Sequence, residues 1–185
     1  MKKYIRGIIY ILFSLLKFSF IKIFHFLEFR FTLLNLFSPF TEVDLDKGAF
    51  LILKKSVKAK SGVKIKVRKG ARVEIGEKTS FNHGCMIVSH NNIIIGNDVQ
   101  FGPNVFLYDH DHDFRKKDGL KNLEYKSAPI IIGNNVWVGA NVVILRGTTI
   151  GDNCVIGAGA VIKGAYSSNS IIVQKREEVV THFTN

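Results

Sequence analysis

Residues 132–163 read IGNNVW VGANVV ILRGTT IGDNCV IGAGAV IK, and the same pattern returns every six residues. An aliphatic residue opens each hexad, and a small or β-branched residue stands four places later. A period of six fits neither an amphipathic helix nor an isolated strand with alternating side chains. It predicts a short strand followed by a turn, and three such units make one coil of a β-solenoid.

The opening aliphatic residue of each hexad is predicted to point inward. It would stack on its counterpart eighteen residues later, as Ile132 would on Ile150. The same frame fits upstream sequence, with two extra residues before Ile95, and gives these inward positions: Ile75, Phe81, Ile87, Ile95, Phe101, Leu107, Ile132, Val138, Ile144, Ile150, Ile156 and Ile162. Glycine often follows and suits a tight corner, and asparagine or aspartate then supplies the turn.

One interruption breaks the period. From Leu107 to Ile132 the chain advances 25 residues, one hexad plus 19. The surplus, residues 113–131, is polar and charged and predicts a loop projecting from the solenoid. At its root stands YDHDHDF, residues 108–114. The residue types of this stretch suit a metal site, the base of an enzyme or a polar turn.

The first 45 residues differ in composition from the rest and form a predicted apolar, basic helical segment. Lysine, arginine and histidine punctuate an otherwise apolar sequence, and the longest uncharged run, residues 7–16, is about half the length of a spanning helix. We expect residues 1–40 to lie on an anionic membrane surface or to pack on the protein itself or a partner subunit. The predicted boundaries are 1–45 for this segment, 46–165 for the solenoid and 166–185 for a C-terminal cap.

The composition limits the partners and the compartment. The net charge of +11 favours an anionic partner or surface. Residues 54–72 are strongly basic, but they lack the interleaved aromatic residues that stack on bases, so we expect no nucleic acid. Cys85 and Cys154 form no CxxC pair, which argues against a structural zinc site and fits a reducing compartment.

Two stretches, GNNVWVGANVVILRGTTIGDNCVIGAGAVI and GPNVFLYDHDHDF, resemble the hexapeptide-repeat acyltransferase family. The similarity is greatest to the maltose and galactoside O-acetyltransferases and to the capsule, lipopolysaccharide and exopolysaccharide O-acetyltransferases. It implies an all-β fold, the left-handed parallel β-helix. It also implies a homotrimer that binds acetyl-CoA between neighbouring prisms, with no metal.

The resemblance assigns the catalytic residue. The family histidine stands five residues after an inward aliphatic residue, and counting from Leu107 gives His112. A neutral imidazole suits the removal of a proton from a sugar hydroxyl as it attacks the thioester. Asp109, His110 and Asn82 are weaker candidates for contacts with the acceptor.

For the cofactor, Trp137 matches the family tryptophan that lines the acetyl-CoA channel. Gly139, Ala140 and Ala158 match small residues beside the pantetheine arm, and Lys163 matches a residue near the nucleotide end. The chain departs from the family pattern at Arg146, which replaces a common proline and is interpreted as a surface residue or a phosphate contact. A glycine-proline turn is also missing from the tail.

The sequence therefore predicts an acetyl-CoA-dependent O-acetyltransferase that acts on a sugar hydroxyl in surface-polysaccharide biosynthesis. The expected location is cytoplasmic, peripheral on the inner face of the membrane. Two alternatives stay open: a non-enzymatic trimeric scaffold of a membrane-associated assembly, and a metal enzyme resembling the γ-type carbonic anhydrases.

Overall fold

The computed structural model describes residues 2–175, 177 and 180–182. Each complete coil contributes one short strand to each of three parallel sheets, and the last described coil contributes strands to two of them. The first face comprises β1 Phe29–Phe31, β4 Phe50–Leu53, β7 Arg72–Ile75, β10 Asn92–Ile95, β15 Ile130–Ile132, β18 Thr149–Ile150 and β21 Ala165–Tyr166. The second face comprises β2 Leu36–Phe37, β5 Lys58–Ala59, β8 Ser80–Phe81, β11 Gln100–Phe101, β16 Trp137–Val138, β19 Val155–Ile156 and β22 Ile171–Ile172. The third face comprises β3 Glu42–Leu45, β6 Lys64–Val67, β9 Met86–Ser89, β12 Phe106–Tyr108, β17 Val143–Leu145 and β20 Val161–Ile162.

The interior is the stack of aliphatic residues that the hexad frame predicts. All twelve predicted inward positions are buried, and Ile132 pairs with Ile150 in the parallel register expected of residues eighteen apart. The small residues four places later, such as Val136 and Cys154, are buried too. The fold is thus the predicted all-β, left-handed parallel β-helix with a helix at its N-terminal end.

The glycines that follow the inward residues are required by the closeness of neighbouring coils. A Cβ added to Gly96 would lie 2.5 Å from the carbonyl oxygen of Gly133, and one added to Gly139 would lie 2.6 Å from the amide nitrogen of Ala158. The left-handed turn positions carry asparagine instead, as at Asn135 and Asn153, with φ of 53° and 58°. The Nδ2 of Asn135 donates to the Oδ1 of Asn153 at 2.9 Å, so turn side chains also form a ladder.

The N-terminal helix is shorter than the predicted segment 1–45. Helix α1 covers Lys2–Phe24, and the first coil of the β-helix already begins at Phe29, which pairs with Leu51. Phe18 is buried against the first coil, and the hydroxyl of Ser14 accepts a hydrogen bond of 2.8 Å from the Phe37 N–H. The predicted boundary at residue 45 is therefore wrong. The sequence of the first coil does not follow the six-residue repeat, so the repeat did not reveal that α1 covers this coil.

The predicted C-terminal boundary at residue 165 also lies too early. β21 and β22 continue the first and second faces to Ile172. Beyond them the side-chain amide of Gln174 pairs with both backbone groups of Val161, at 2.9 and 2.7 Å, and covers the edge of β20. Residues 176, 178, 179 and 183–185 of the predicted cap lie outside the described residues.

The outer face of α1 is apolar and exposed. Its segment Gly7–Phe24 is long and apolar enough to cross a membrane by length and composition, with a mean hydropathy of 1.9, whereas only the inner side packs on the β-helix. The exposed apolar residues of α1 are Ile5, Ile8, Ile9, Leu12, Leu16, Phe20, Ile23 and Phe24. Phe26, Leu33 and Phe40 extend this surface across the first coil.

We predict that Gly96→Ala destabilises the protein by about 3 kcal/mol, because the new methyl group meets backbone atoms that no rotamer change can move. Gly7→Ala is the matched control. Within the described residues, and apart from its chain neighbours and its own helix backbone, no atom lies within 4 Å of the added Cβ there, and the helix should gain about 1 kcal/mol. Chemical denaturation of both variants measures the difference, and equal midpoints would contradict the packing role of Gly96.

Candidate active site

The projecting loop leaves the β-helix where β12 ends. Two short antiparallel strands, β13 His110–His112 and β14 Tyr125–Ser127, form its root, and a 3-10 helix at Gly119–Asn122 lies near its tip. The Ala128 N–H donates to the Asp109 carbonyl at 2.9 Å and closes the loop. The excursion thus runs over residues 110–127, and the predicted range 113–131 is wrong at both ends, because an antiparallel pair forms the root.

Asp109 lies beneath this root and is fully buried. Its carboxylate accepts hydrogen bonds from the Ser89 hydroxyl at 2.6 Å and from the N–H groups of His90 and Asn91 at 2.7 and 2.9 Å. The Nδ1 of His110 lies 3.3 Å away. A carboxylate so enclosed does not reach an acceptor sugar; it fixes the turn at residues 89–91 and the His110 imidazole instead.

The ionisation of Asp109 follows from these contacts. Burial by itself would raise its pKa, but the hydrogen bonds from His110, Ser89 and two backbone N–H groups outweigh burial and lower the pKa below its ordinary value. Burial, followed by the proximity of His110, lowers the pKa of His90. His90 is therefore favoured as the neutral imidazole at neutral pH.

Aromatic rings cover the buried carboxylate. The imidazoles of His90 and His110 lie 4.0 Å apart between centroids, and Tyr125 lies 4.1 Å from His90. His112 lies opposite Tyr125 in the β13–β14 pair, with 4.8 Å between ring centroids, and its side chain is exposed to solvent. Of the two histidines in the stretch, His110 is held internally, whereas His112 is presented outward on a strand.

An ion pair holds the loop root from the outside. Asp111, which faces Lys126 across the β13–β14 pair, binds the Nε of Arg146 on the next coil. Neither interpretation of Arg146 that the sequence allowed, a surface residue or a phosphate contact, included this pairing. His90 and Tyr125 were missed altogether, because only the tertiary structure brings them to the loop root.

Trp137 lies elsewhere, on the second face. It points outward from β16 with 60% of its surface exposed. It lines a groove of about 410 Å³ that also contains Gln100 and Asn82. Asn82 therefore belongs with Trp137 and not with His112, since it follows β8 on the same face.

The remaining cofactor candidates divide between these two places. Gly139 and Ala140 follow Trp137 at the corner between the second and third faces, and Ala158 stands at the same corner one coil later. Lys163 follows β20 at the corner between the third and first faces, where the loop begins. The chain thus carries a histidine corner and a tryptophan groove at different places on the prism.

The stretch YDHDHDF is not arranged as a metal centre. Within residues 2–175, 177 and 180–182, no three His, Cys, Asp or Glu side chains are grouped so that they could hold an ion. The carboxylate of Asp109 is directed at hydrogen-bond donors, and that of Asp111 at Arg146.

Comparison with known proteins agrees with the six-residue repeat of the β-helix. Residues 129–164 match the family model described as bacterial transferase hexapeptide, six repeats. The β-helix carries the repeat of the hexapeptide transferases. The resemblance inferred from the sequence is thereby confirmed.

Three relatives define the similarity to hexapeptide acetyltransferases. A galactoside O-acetyltransferase of Escherichia coli K12 is 44% identical over 93 residues, covering 50% of this chain and 45% of that protein. A putative lipopolysaccharide biosynthesis O-acetyl transferase of the same organism is 30% identical over 107 residues, covering 54% and 55%. The crystal structure of a hexapeptide-repeat acetyltransferase of Vibrio cholerae with acetyl coenzyme A has a TM-score of 0.51 and 30% identity, and covers 59% of this chain and 58% of that one.

The chain spans about half the length of the curated relatives that it matches. The matched region is the hexapeptide β-helix. Activity, substrates and partners of the whole protein are therefore proposals.

We predict that Asp109→Asn lowers the free energy of unfolding by about 3 kcal/mol, because an amide NH₂ would face donors that now point at a carboxylate. The lowered pKa means that Asp109 stabilises the fold above its unfolded pKa, and that this contribution disappears as the pH falls through the folded value. The variant should therefore lose less stability than the wild type between about pH 5 and pH 2.

Asp111→Asn is the adjacent control for this change. Asp111 is half-exposed in its ion pair with Arg146, and such pairs contribute roughly 0.5 kcal/mol. Urea denaturation at a series of pH values measures both variants. An Asp109→Asn protein as stable as the Asp111→Asn protein would show that the buried carboxylate does not hold the loop root.

Proposed function

We propose that this protein is an acetyl-CoA-dependent O-acetyltransferase that acts on a sugar hydroxyl in surface-polysaccharide biosynthesis, with His112 as general base. The observation that carries the proposal is the exposed His112 at the corner where the loop leaves a hexapeptide β-helix. The galactoside O-acetyltransferase and the putative lipopolysaccharide O-acetyl transferase support the acceptor class. The acetyl coenzyme A in the Vibrio structure supports the donor.

The reaction is a direct transfer. The His112 imidazole takes the proton from the acceptor hydroxyl while that oxygen attacks the thioester carbon. The tetrahedral oxyanion then needs an N–H donor. The Gly139 N–H already donates to the Ile156 carbonyl at 2.8 Å. We therefore assign stabilisation of the oxyanion to the next amide N–H, that of Ala140. Collapse of the intermediate releases the coenzyme A thiolate, which takes up a proton.

We propose that a homotrimer completes the site by bringing the histidine corner of one protomer to the tryptophan groove of its neighbour. The third face supports this arrangement, because its outward side chains become apolar beside the loop. They are Met86, Val88, Phe106, Tyr108, Val143 and Leu145. On the first coils the same face carries charged residues instead, such as Glu42 paired with Lys66. An apolar strip on one side of a prism fits the heterologous contact of a closed ring.

We further propose that α1 lies flat on an anionic membrane surface at the cytoplasmic side. Phe18 and Ser14 hold its inner side against the first coil, so the helix is not free to be surrounded by lipid. Its outer side presents a wide apolar surface, and Phe40 of the first coil is exposed as well. An amphipathic helix with basic residues binds in this orientation.

A mixing experiment tests the shared site. His112→Ala should lower acetyl transfer by about 10²–10⁴-fold, and Trp137→Ala should lower it through the cofactor. When the two variants are co-expressed, about a quarter of the sites should combine an intact histidine with an intact tryptophan from a neighbour. Thiol release from acetyl-CoA with a panel of sugars measures the recovered activity.

The control is co-expression of His112→Ala with the double variant His112→Ala/Trp137→Ala, which should stay inactive because no histidine is present. A mixture of the two single variants that is no more active than either variant alone would contradict a site shared between protomers.

For the membrane, we predict that the triple change Ile9→Asn, Leu16→Asn and Phe20→Asn weakens binding to vesicles containing phosphatidylglycerol by at least about 100-fold. All three side chains are exposed, so the fold should persist. Co-sedimentation measures the bound fraction.

The matched control replaces three equally exposed apolar residues of the projecting loop, Phe114, Leu120 and Leu123, with asparagine. This variant should bind vesicles like the wild type. Equal losses in the two triple variants would contradict a specific role of α1.

A further inference from the structure

The groove beside Trp137 contains two cations that the proposed mechanism does not use. Lys58 and Lys60 line it together with Ser80, Asn82 and Gln100, and none of its lining residues is acidic. These side chains project from the second face of three successive coils.

The lysines of the groove differ from Lys64 and Lys66, the next two lysines of the basic stretch 54–72. Lys64 and Lys66 both pair with Glu42, at 3.7 and 2.8 Å. Within the described residues Lys58 and Lys60 form no ion pair, and Lys60 contacts the Asn82 amide oxygen at 3.1 Å. The two lysines therefore give the groove a positive charge that no acidic side chain of its lining neutralises, and such a charge favours an anionic ligand.

Lys58 and Lys60 lie on the N-terminal side of Trp137 along the second face. Gln100 and Ser80 separate Trp137 from Lys58 along the ladder, and three strand spacings of about 4.8 Å place Lys58 about 14 Å from the tryptophan. In the opposite direction the ladder continues with Val155 and Ile171, which are apolar. Because Ala140 follows Trp137 on the same coil and Ala158 follows Val155 on the next, the cofactor candidates extend from Trp137 toward the apolar side, and the basic side is left for the acceptor.

We propose that the acceptor is anionic, and that Lys58 and Lys60 bind its phosphate or carboxylate group while the reacting hydroxyl lies near Trp137. This inference deepens the proposed function and rests on it for the location of the cofactor. The amides of Asn82 and Gln100 and the hydroxyl of Ser80 supply hydrogen bonds to the sugar between the two ends. The strand before Lys58 in this ladder is β2, which α1 covers, so the basic end of the groove faces the apolar end of the molecule.

Binding can be measured without turnover, because Trp137 is the only tryptophan in the sequence and lies in the groove. We would titrate the full chain with glucose 1-phosphate, glucuronic acid and glucose, and follow tryptophan fluorescence. We expect at least one of the two anionic probes to bind, and glucose to bind at least about tenfold more weakly. The two anions distinguish phosphate from carboxylate recognition.

The test variant is Lys58→Gln/Lys60→Gln, and the matched control is Lys64→Gln/Lys66→Gln on the third face. The first should weaken the anionic probe at least about tenfold and leave glucose unchanged, and the second should bind like the wild type. Added salt should weaken wild-type binding of the anion and have little effect on the first variant.

Several outcomes would overturn the inference: no fluorescence response to either anion, equal binding of glucose, or an unaltered Lys58→Gln/Lys60→Gln protein. Calorimetry with acetyl-CoA provides the remaining check. If the Lys58→Gln/Lys60→Gln protein loses as much affinity for acetyl-CoA as for the anion, the two lysines bind the cofactor and the inference is wrong. Failure of the proposed function looks different, since acetyl transfer would then be absent while lysine-dependent binding of the anion persists.

Discussion

The backbone hydrogen bonds between successive coils hold each coil one strand spacing from the next, and the rest of the structure depends on this separation. It excludes a Cβ at Gly96 and Gly139, where neighbouring backbones meet. It also aligns equivalent residues of each coil into ladders, so a side chain on one coil lies about 4.8 Å from its counterpart on the next. The inner ladders form the aliphatic core, and the outer ladders form the functional surfaces.

The ladder is interrupted once within the described chain by a long insertion, and a buried charge stabilises that interruption. Where the loop leaves the third face, the Asp109 carboxylate accepts hydrogen bonds from the backbone N–H groups of His90 and Asn91. A buried carboxylate is costly unless it is fully hydrogen-bonded, and here the donors come from the same turn that it orders. The exposed strand carrying His112 thus rests on a rigid base.

The outer ladders separate three chemistries along one prism. The N-terminal end is apolar where α1 and Phe40 face outward, and the middle of the second face is basic and polar. From Trp137 onward the outer ladder of the second face is apolar, with Val155 and Ile171. A lipid surface, an anionic acceptor and a pantetheine arm would meet these regions in that order.

The sequence by itself determined the solenoid, because a six-residue period leaves one way to bury every aliphatic residue, and all twelve inward positions were correct. It also gave the positions of His112 and Trp137 relative to the six-residue repeat, five residues after Leu107 and one residue before Val138. The first coil and the final strands escaped prediction because their repeats are irregular and are recognisable only through pairing, as with Phe29 and Leu51.

Tertiary structure alone decided the contacts between residues far apart in sequence. It showed that Asp109 binds the turn at Ser89, twenty residues earlier, and that Arg146 holds the loop root. It also showed that Lys58 and Lys60 line the groove of Trp137, whereas Lys64 and Lys66 pair with Glu42. No local pattern encodes these relations. They arise because coils of unequal length bring distant residues into adjacent ladder positions.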